Sequence, residues 1–270
     1  MKKTIKEYIN NTVLNVVTHS GICHADDLFT VALLKWAARK YDSVIHVIRT
    51  RVKEEVPENA IIVDVFNGEL DHHNNDGPVD GRKLAAFGLI WRKFKEEFKE
   101  LFELDEESWI SIDQSLIKYV DHTDNTGDMN PLSYILNAYV STYESKDMND
   151  AFNDLMLVCY HFLDVILLKE QKLTEDRKIL NSLPTIEVNG KVFAVKNEVG
   201  YLSTANVHPK LNGIIIHMGE NLSEGDWMIK CFAGTVLSKT GIRNEGDVIF
   251  THPNGFLGKA KTYESILSII

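Results

Sequence analysis

At 270 residues, 44% hydrophobic and 25% charged, the chain has the composition of a globular protein with enough apolar material for two cores. A net charge of −10 argues against a broad basic face that grips nucleic acid nonspecifically, so any such contact is expected to be local. No run approaches the ~18 apolar residues of a membrane span, Met1 to Glu7 lack the apolar core of a secretory signal, and Cys23, Cys159 and Cys231 are too scattered for a disulfide framework; a reducing, cytoplasmic setting is the expectation.

In chain order, Val13 to Thr18 reads as a first strand, and His19 to Asp27 as the loop after it. Apolar spacing from Ala25 to Lys40 is helical, which puts Asp26 and Asp27 in the first turn. There they either cap the helix or serve as ligands. A strand end followed by His19, His24 and Asp26 gathers three ligand-type side chains in one short loop, a pattern that suits a metal. Ser43 to Arg49 reads as a second strand, with His46 structural and Arg49 placed at the strand end, where it meets either a phosphate or solvent. The run Ile61-Ile62-Val63-Asp64-Val65 reads as a buried strand that delivers Asp64 to the sheet edge. Strands alternating with helices predict a parallel α/β sheet.

Asp71-His72-His73 follows in a polar loop, one histidine a ligand and the other able to donate to substrate or act as an acid. Lys83 opens the next helix, predicted from Lys83 to Trp91, and either helps hold an anion or lies in solvent. A further helix from Glu106 to about His122 ends in Asp121-His122-Thr123-Asp124. Those two carboxylates are three apart, near a helix C-terminus whose dipole disfavours them, so a compensating cation is expected, with a solvated turn as the alternative. Imidazole and carboxylate ligands of this kind hold a pair of divalent ions. Mn2+ or Mg2+ suits the mixed set better than zinc, and Cys23 reads as a packed side chain.

Beyond residue 131 the pattern is helical to about Leu183, with Phe152, Leu155, Met156, Cys159, Phe162, Leu163 and Ile166 in a stripe that is either core or a homodimer seam. Pro184 stops it. Strands follow at 186–188, 191–195, 213–218 and 227–232, the first two joined at Asn189-Gly190. Lys239 to Arg243 and His252 to Phe256 are candidates for a substrate clamp, with Phe256 either stacking on a base or in the core.

His19 through Asp27, Val63-Asp64-Val65, Asp71-His72-His73, Leu84 through Ile90, Val120 through Gly127 and the tail Phe250 through Gly258 together resemble the MYG (melanocyte-proliferating-gene) exonuclease family, a branch related to the DHH phosphoesterases. The resemblance implies an α/β fold: a parallel-sheet DHH-like metal-binding domain over 1–130, a helical connector over 131–183, and a smaller mixed α/β substrate-binding domain over 184–270. It implies a manganese- or magnesium-dependent phosphodiesterase, a 3′-to-5′ exonuclease on single-stranded RNA or short oligonucleotides. One ion would be held by His19, His24 and Asp64, the other by Asp26, Asp64, His72 and Asp121, with Asp124 as the alternative to Asp121. Asp64, Asp27 and His73 are the candidates for the chemical step, and Arg49, Lys83, Arg243, His252 and Gly255 for holding substrate. Asp26-Asp27 departs from the family's usual Asp-Glu. A phosphoesterase for dinucleotides, phosphorylated nucleotides or pyrophosphate is the runner-up, and a non-catalytic metal- or nucleotide-binding regulator the third reading.

Overall fold

A strand covered on both faces must be apolar on both, and Val13-Leu14-Asn15-Val16-Val17 nearly is. The computed structural model describes residues 3–74, 81–144, 147–196, 208–218, 225–232 and 234–270. After one turn, α1 (Ile5–Tyr8), β1 (Val13–Thr18) lies between β2 (Val44–Arg49) and β3 (Ala60–Ile62), parallel to both, with Leu14, Val16 and Val17 fully buried. Parallel neighbours need a crossover. Between β1 and β2 it is α2 (Ala25–Lys40), whose Leu28, Phe29, Val31, Ala32, Leu33 and Leu34 are all fully buried, so α2 is a core helix rather than an amphipathic one.

The helices that follow are α3 (Ala86–Lys93), α4 (Lys95–Leu101), α5 (Glu106–Ile112), α6 (Lys118–Thr126), α7 (Pro131–Val140) and α8 (Met148–Ser182). Trp91 stacks on Trp109 with ring centroids 3.7 Å apart, and Phe98 stacks on Phe102, which meets Trp36 edge-on, so aromatic side chains tie α2, α3, α4 and α5 together.

Three expectations change. The strand expected to carry Asp64 stops at Ile62; Val63 makes one isolated bridge to Leu70, and Asp64 leaves the strand with φ +52°. The single helix expected from Glu106 to His122 is interrupted by a π-helical turn at Asp113–Ile117, after which α6 runs on to a left-handed Gly127 cap. And α8 contains a window long and apolar enough to cross a membrane by length and composition, although 44% of that window is buried. Ala151, Phe152, Leu155, Cys159, Leu163 and Leu167 form its buried stripe.

The chain divides into two units, Met1–Gln171 and Lys172–Ile270, the boundary falling inside α8. In the second unit β4 (Thr185–Val188) and β5 (Lys191–Lys196) form a hairpin through Asn189 and Gly190, both at positive φ as a two-residue turn requires. With β6 (Gly213–His217), β7 (Trp227–Cys231), β8 (Arg243–Glu245), β9 (Val248–Thr251) and β10 (Leu257–Ala260) they make a seven-stranded sheet in the order β4-β5-β6-β7-β10-β9-β8, parallel at β5–β6 and antiparallel elsewhere. One core of this unit centres on Phe193, Ile215 and Ile229, with Ile266 of α9 (Tyr263–Leu267).

Candidate metal centre

Two strand ends deliver the centre. Val17 and Ile62 are register partners, the Val63 N–H donates to Val17 O, and the chain then places His19 and Asp64 two residues beyond that pair. Asp64, Phe66 and Asn67 all take left-handed backbone conformations, which folds the segment back on itself. The Asp64 N–H donates to Leu70 O, and Asp71 accepts the Asn67 N–H at 2.8 Å.

Asp64 is 5% exposed, and each of its oxygens faces imidazole. Oδ2 lies 3.5 Å from His19 Nε2; Oδ1 lies 3.3 Å from His72 Nε2 and 3.5 Å from His73 Nδ1. His72 Nε2 is also 3.2 Å from Asp124 Oδ2, whose other oxygen is 4.0 Å from His24 Nδ1. Asp26, fully buried at the start of α2, completes the cluster. Three groups have ligand atoms within 4.8 Å of one another: His19, His24 and Asp64; Asp64, His72 and His73; and His24, Asp26 and Asp124.

The electrostatics favour a bound cation or a proton on these carboxyls. Burial, reinforced by Asp124, Asp64 and Asp27, holds the Asp26 carboxyl well above the usual carboxylate range. Burial likewise raises Asp64 to about 7, with His19 pulling the other way. Burial would lower His19, but its partner Asp27 outweighs that and raises it, whereas burial leaves His72 below its ordinary value. Asp26 Oδ1 and Asp64 Oδ1 are buried with no hydrogen-bond donor among the described residues. Unpaired buried carboxylate oxygens among imidazoles fit divalent ions, with His19, His24, Asp26, Asp64, His72 and Asp124 as the residues that would hold them.

Other predicted residues are placed differently. Asp27 is fully buried, accepts the His24 N–H at 3.0 Å and lies 3.2 Å from His19 Nε2, so it positions the two histidines rather than facing substrate. Asp121 is not brought to the cluster. Its Oδ1 accepts the N–H groups of Ala85 and Gly88 at the start of α3, both at 3.0 Å, and Arg82 Nε lies 3.3 Å from Oδ2. Burial raises this carboxyl to about 7 as well. Arg49 ends β2 as expected, yet its guanidinium is engaged by Met148 O, Asn149 Oδ1 and Gly21 O and lies over the Phe152 ring, so it ties the His24 loop to α8 instead of waiting for a phosphate.

Lys83 precedes α3 by three residues, exposed, in a different cavity. Arg243, His252 and Gly255 belong to the second unit. Arg243 is exposed on β8, the His252 ring packs on Phe256, and Gly255 has φ +67° with no room for a Cβ beside Val236, which accounts for the glycine sterically. Phe256 itself is 43% exposed.

A cavity of about 360 Å³ opens on the cluster, lined by His19, His24, Asp64 and His73 and by Arg51, Asn67 and Asp71. Arg51 went unnoticed in the sequence because it opens a charged connection with no pattern of its own. Asp71 holds His73 Nδ1 at 2.7 Å, which assigns the proton to that nitrogen and fixes the ring, a carboxylate–histidine pair.

The family model described as MYG1 exonuclease, uncharacterised protein family UPF0160, matches residues 15–184. A MYG1 protein of Schizosaccharomyces pombe is 29% identical over 133 residues, 43% of this chain and 40% of its own length; a MYG1 protein of Dictyostelium discoideum is 31% identical over 128 residues, 42% and 38%. The matched region thus spans about two fifths of each relative. Among solved structures, RecJ of Thermus thermophilus in complex with Mg2+ aligns over 94% of this chain and 48% of its own, at 12% identity and a TM-score of 0.24.

Proposed function

This chain belongs to the MYG1 exonuclease family, and from that premise we propose that it is a divalent-metal-dependent phosphodiesterase, a 3′-to-5′ exonuclease on single-stranded RNA or short oligonucleotides that uses two Mn2+ or Mg2+ ions. The observation that carries the reading is Asp64: buried, shared between two of the three ligand groups, and flanked by imidazole on both oxygens. When bound, the ions supply Lewis acidity that activates water and offsets the charge developing on the phosphate. Asp27 keeps His19 and His24 in place beside Asp64. His73, exposed and oriented by Asp71, donates a proton to the oxygen that leaves phosphorus. Arg51, at the rim of the same cavity, pairs with the phosphate.

The small volume of that cavity favours one substrate variation, a phosphoesterase for dinucleotides or other small phosphoesters. Hydrolysis of end-labelled RNA, DNA and dinucleotides with Mn2+, beside Asp64→Asn, separates the readings. Stepwise shortening of RNA that disappears in the variant supports the exonuclease. Cleavage of dinucleotides alone supports the small-substrate enzyme, and no cleavage of any of them overturns both.

A further inference from the structure

The first unit contains a second cavity, of about 1350 Å³, on the side of α6 away from the metal cluster. In a chain of net charge −10, its lining carries five lysines and arginines against two carboxylates. Those carboxylates do not balance the cations locally. Glu106 is shared by Lys95 at 2.6 Å and Lys99 at 2.7 Å, and Asp113 is taken by Arg82 in a two-point contact. Among the described residues, Lys83 and Lys118 line the cavity, are exposed, and make no ion pair. Between them the cavity offers an exposed aromatic ring and an exposed aliphatic side chain, Tyr119 at 52% and Ile110 at 50%.

Unpaired ammonium groups around an open aromatic face match a ligand with phosphates and a flat ring. We propose that this cavity binds a nucleotide, its phosphates on Lys83 and Lys118 and its base on Tyr119, supplied by a single-stranded nucleic acid or by a mononucleotide. The choice of ligand class rests on the nuclease reading above; the charge and shape of the cavity do not. The π-helical turn and α6 hold the lining in place: Asp113 clamps Arg82 while Asp121, one helical face away, anchors α3.

The test uses the full chain stripped of metal with chelator, so that no hydrolysis intervenes, and follows binding of a fluorescent single-stranded pentanucleotide by anisotropy. Tyr119→Ala is expected to weaken binding at least about fivefold. Lys83→Glu with Lys118→Glu is expected to weaken it about tenfold or more and to lower the salt slope by about 1.4, two contacts at about 0.7 each. Arg39→Glu with Lys40→Glu, the same charge change on exposed surface outside the cavity, is the control and should bind like the parent. Melting temperatures establish that each variant is folded. Competition with AMP distinguishes the sources: full displacement at comparable concentration indicates a mononucleotide site, and no displacement a strand site. Variants that are folded and bind as the parent does overturn the proposal, even if Mn2+-dependent hydrolysis is intact. Conversely, binding that is lost in the cavity variants and retained in Asp64→Asn supports it, even if no phosphoester is ever cleaved.

Discussion

Asp64 sits in a left-handed backbone conformation with its carboxyl buried, and both features work against the metal-free fold. The ordinary value of this carboxyl is 3.8, and burial raises it to about 7. Between those values the folded metal-free protein holds a proton that the unfolded chain has released, so the unfolded chain binds fewer protons and stability falls as pH rises through the window. The effect of Asp64 alone is at most ~4 kcal/mol. Asp26 and His19, both raised, act in the same direction, and His72, lowered, acts against them. The expected outcome is a melting temperature that drops from about pH 5 to about pH 8 in chelator and drops less in Asp64→Asn. Equal pH dependence of the two proteins would remove Asp64 from the explanation. A second single residue is equally exacting. A Cβ on Gly88 would lie 2.3 Å from Asp121 Oδ2, with the neighbouring backbone buried. Gly88→Ala therefore has to displace the carboxylate that caps α3, and urea unfolding should register a loss of ~2–3 kcal/mol despite the gain in helix propensity.

At the scale of elements, α6 carries two carboxylates one turn apart with different duties. Asp121 holds the first turn of α3, and Asp124 faces His72 and His24. Asp121→Ala leaves the buried N–H groups of Ala85 and Gly88 without their acceptor and removes the carboxylate beside Arg82 Nε, although Arg82 keeps Asp113, and is expected to cost ~3 kcal/mol in unfolding. Asp124→Ala should cost less than ~1 kcal/mol in chelator, because it also relieves the repulsion on Asp26, while Mn2+ affinity by calorimetry falls at least about tenfold. A reversed pair of results would return the ligand role to Asp121. The spacing Asp121-x-x-Asp124 was legible in the sequence; the division of labour was not, since it depends on which neighbour each side of α6 meets. His19, His24 and Asp64 were legible for a local reason: each lies within a few residues of an apolar run that had to be a buried strand. Arg49 marks the limit of that logic. Its strand end was placed correctly, yet its partners Met148 and Asn149 lie about a hundred residues away in sequence. The early end of β3 was hidden because an apolar run does not encode a left-handed turn, and β8 because Arg243-Asn244-Glu245 has no apolar alternation to betray a strand.

For the whole molecule, every residue of the ligand cluster found among the described residues belongs to the unit Met1–Gln171. Ions that bind the folded first unit stabilise it by mass action, ~2.7 kcal/mol at a hundred times the dissociation constant. The sheet from β4 to β10 has its own core around Phe193, Ile215 and Ile229, which owes nothing to those ligands. Hydrogen exchange with and without Mn2+ reads this directly. Protection is expected to rise at His19 to Leu28, at Val63 to His73 and along α6, where cation binding removes the repulsion among Asp26, Asp64 and Asp124 and holds the left-handed Asp64 turn. The β4–β5 hairpin and β6 to β10 should exchange at the same rate in both conditions. Protection that spreads over the second unit would mean that the ions act on more of the chain than the cluster accounts for, and protection that fails to rise at the Asp64 turn would remove the metal centre from the place assigned to it.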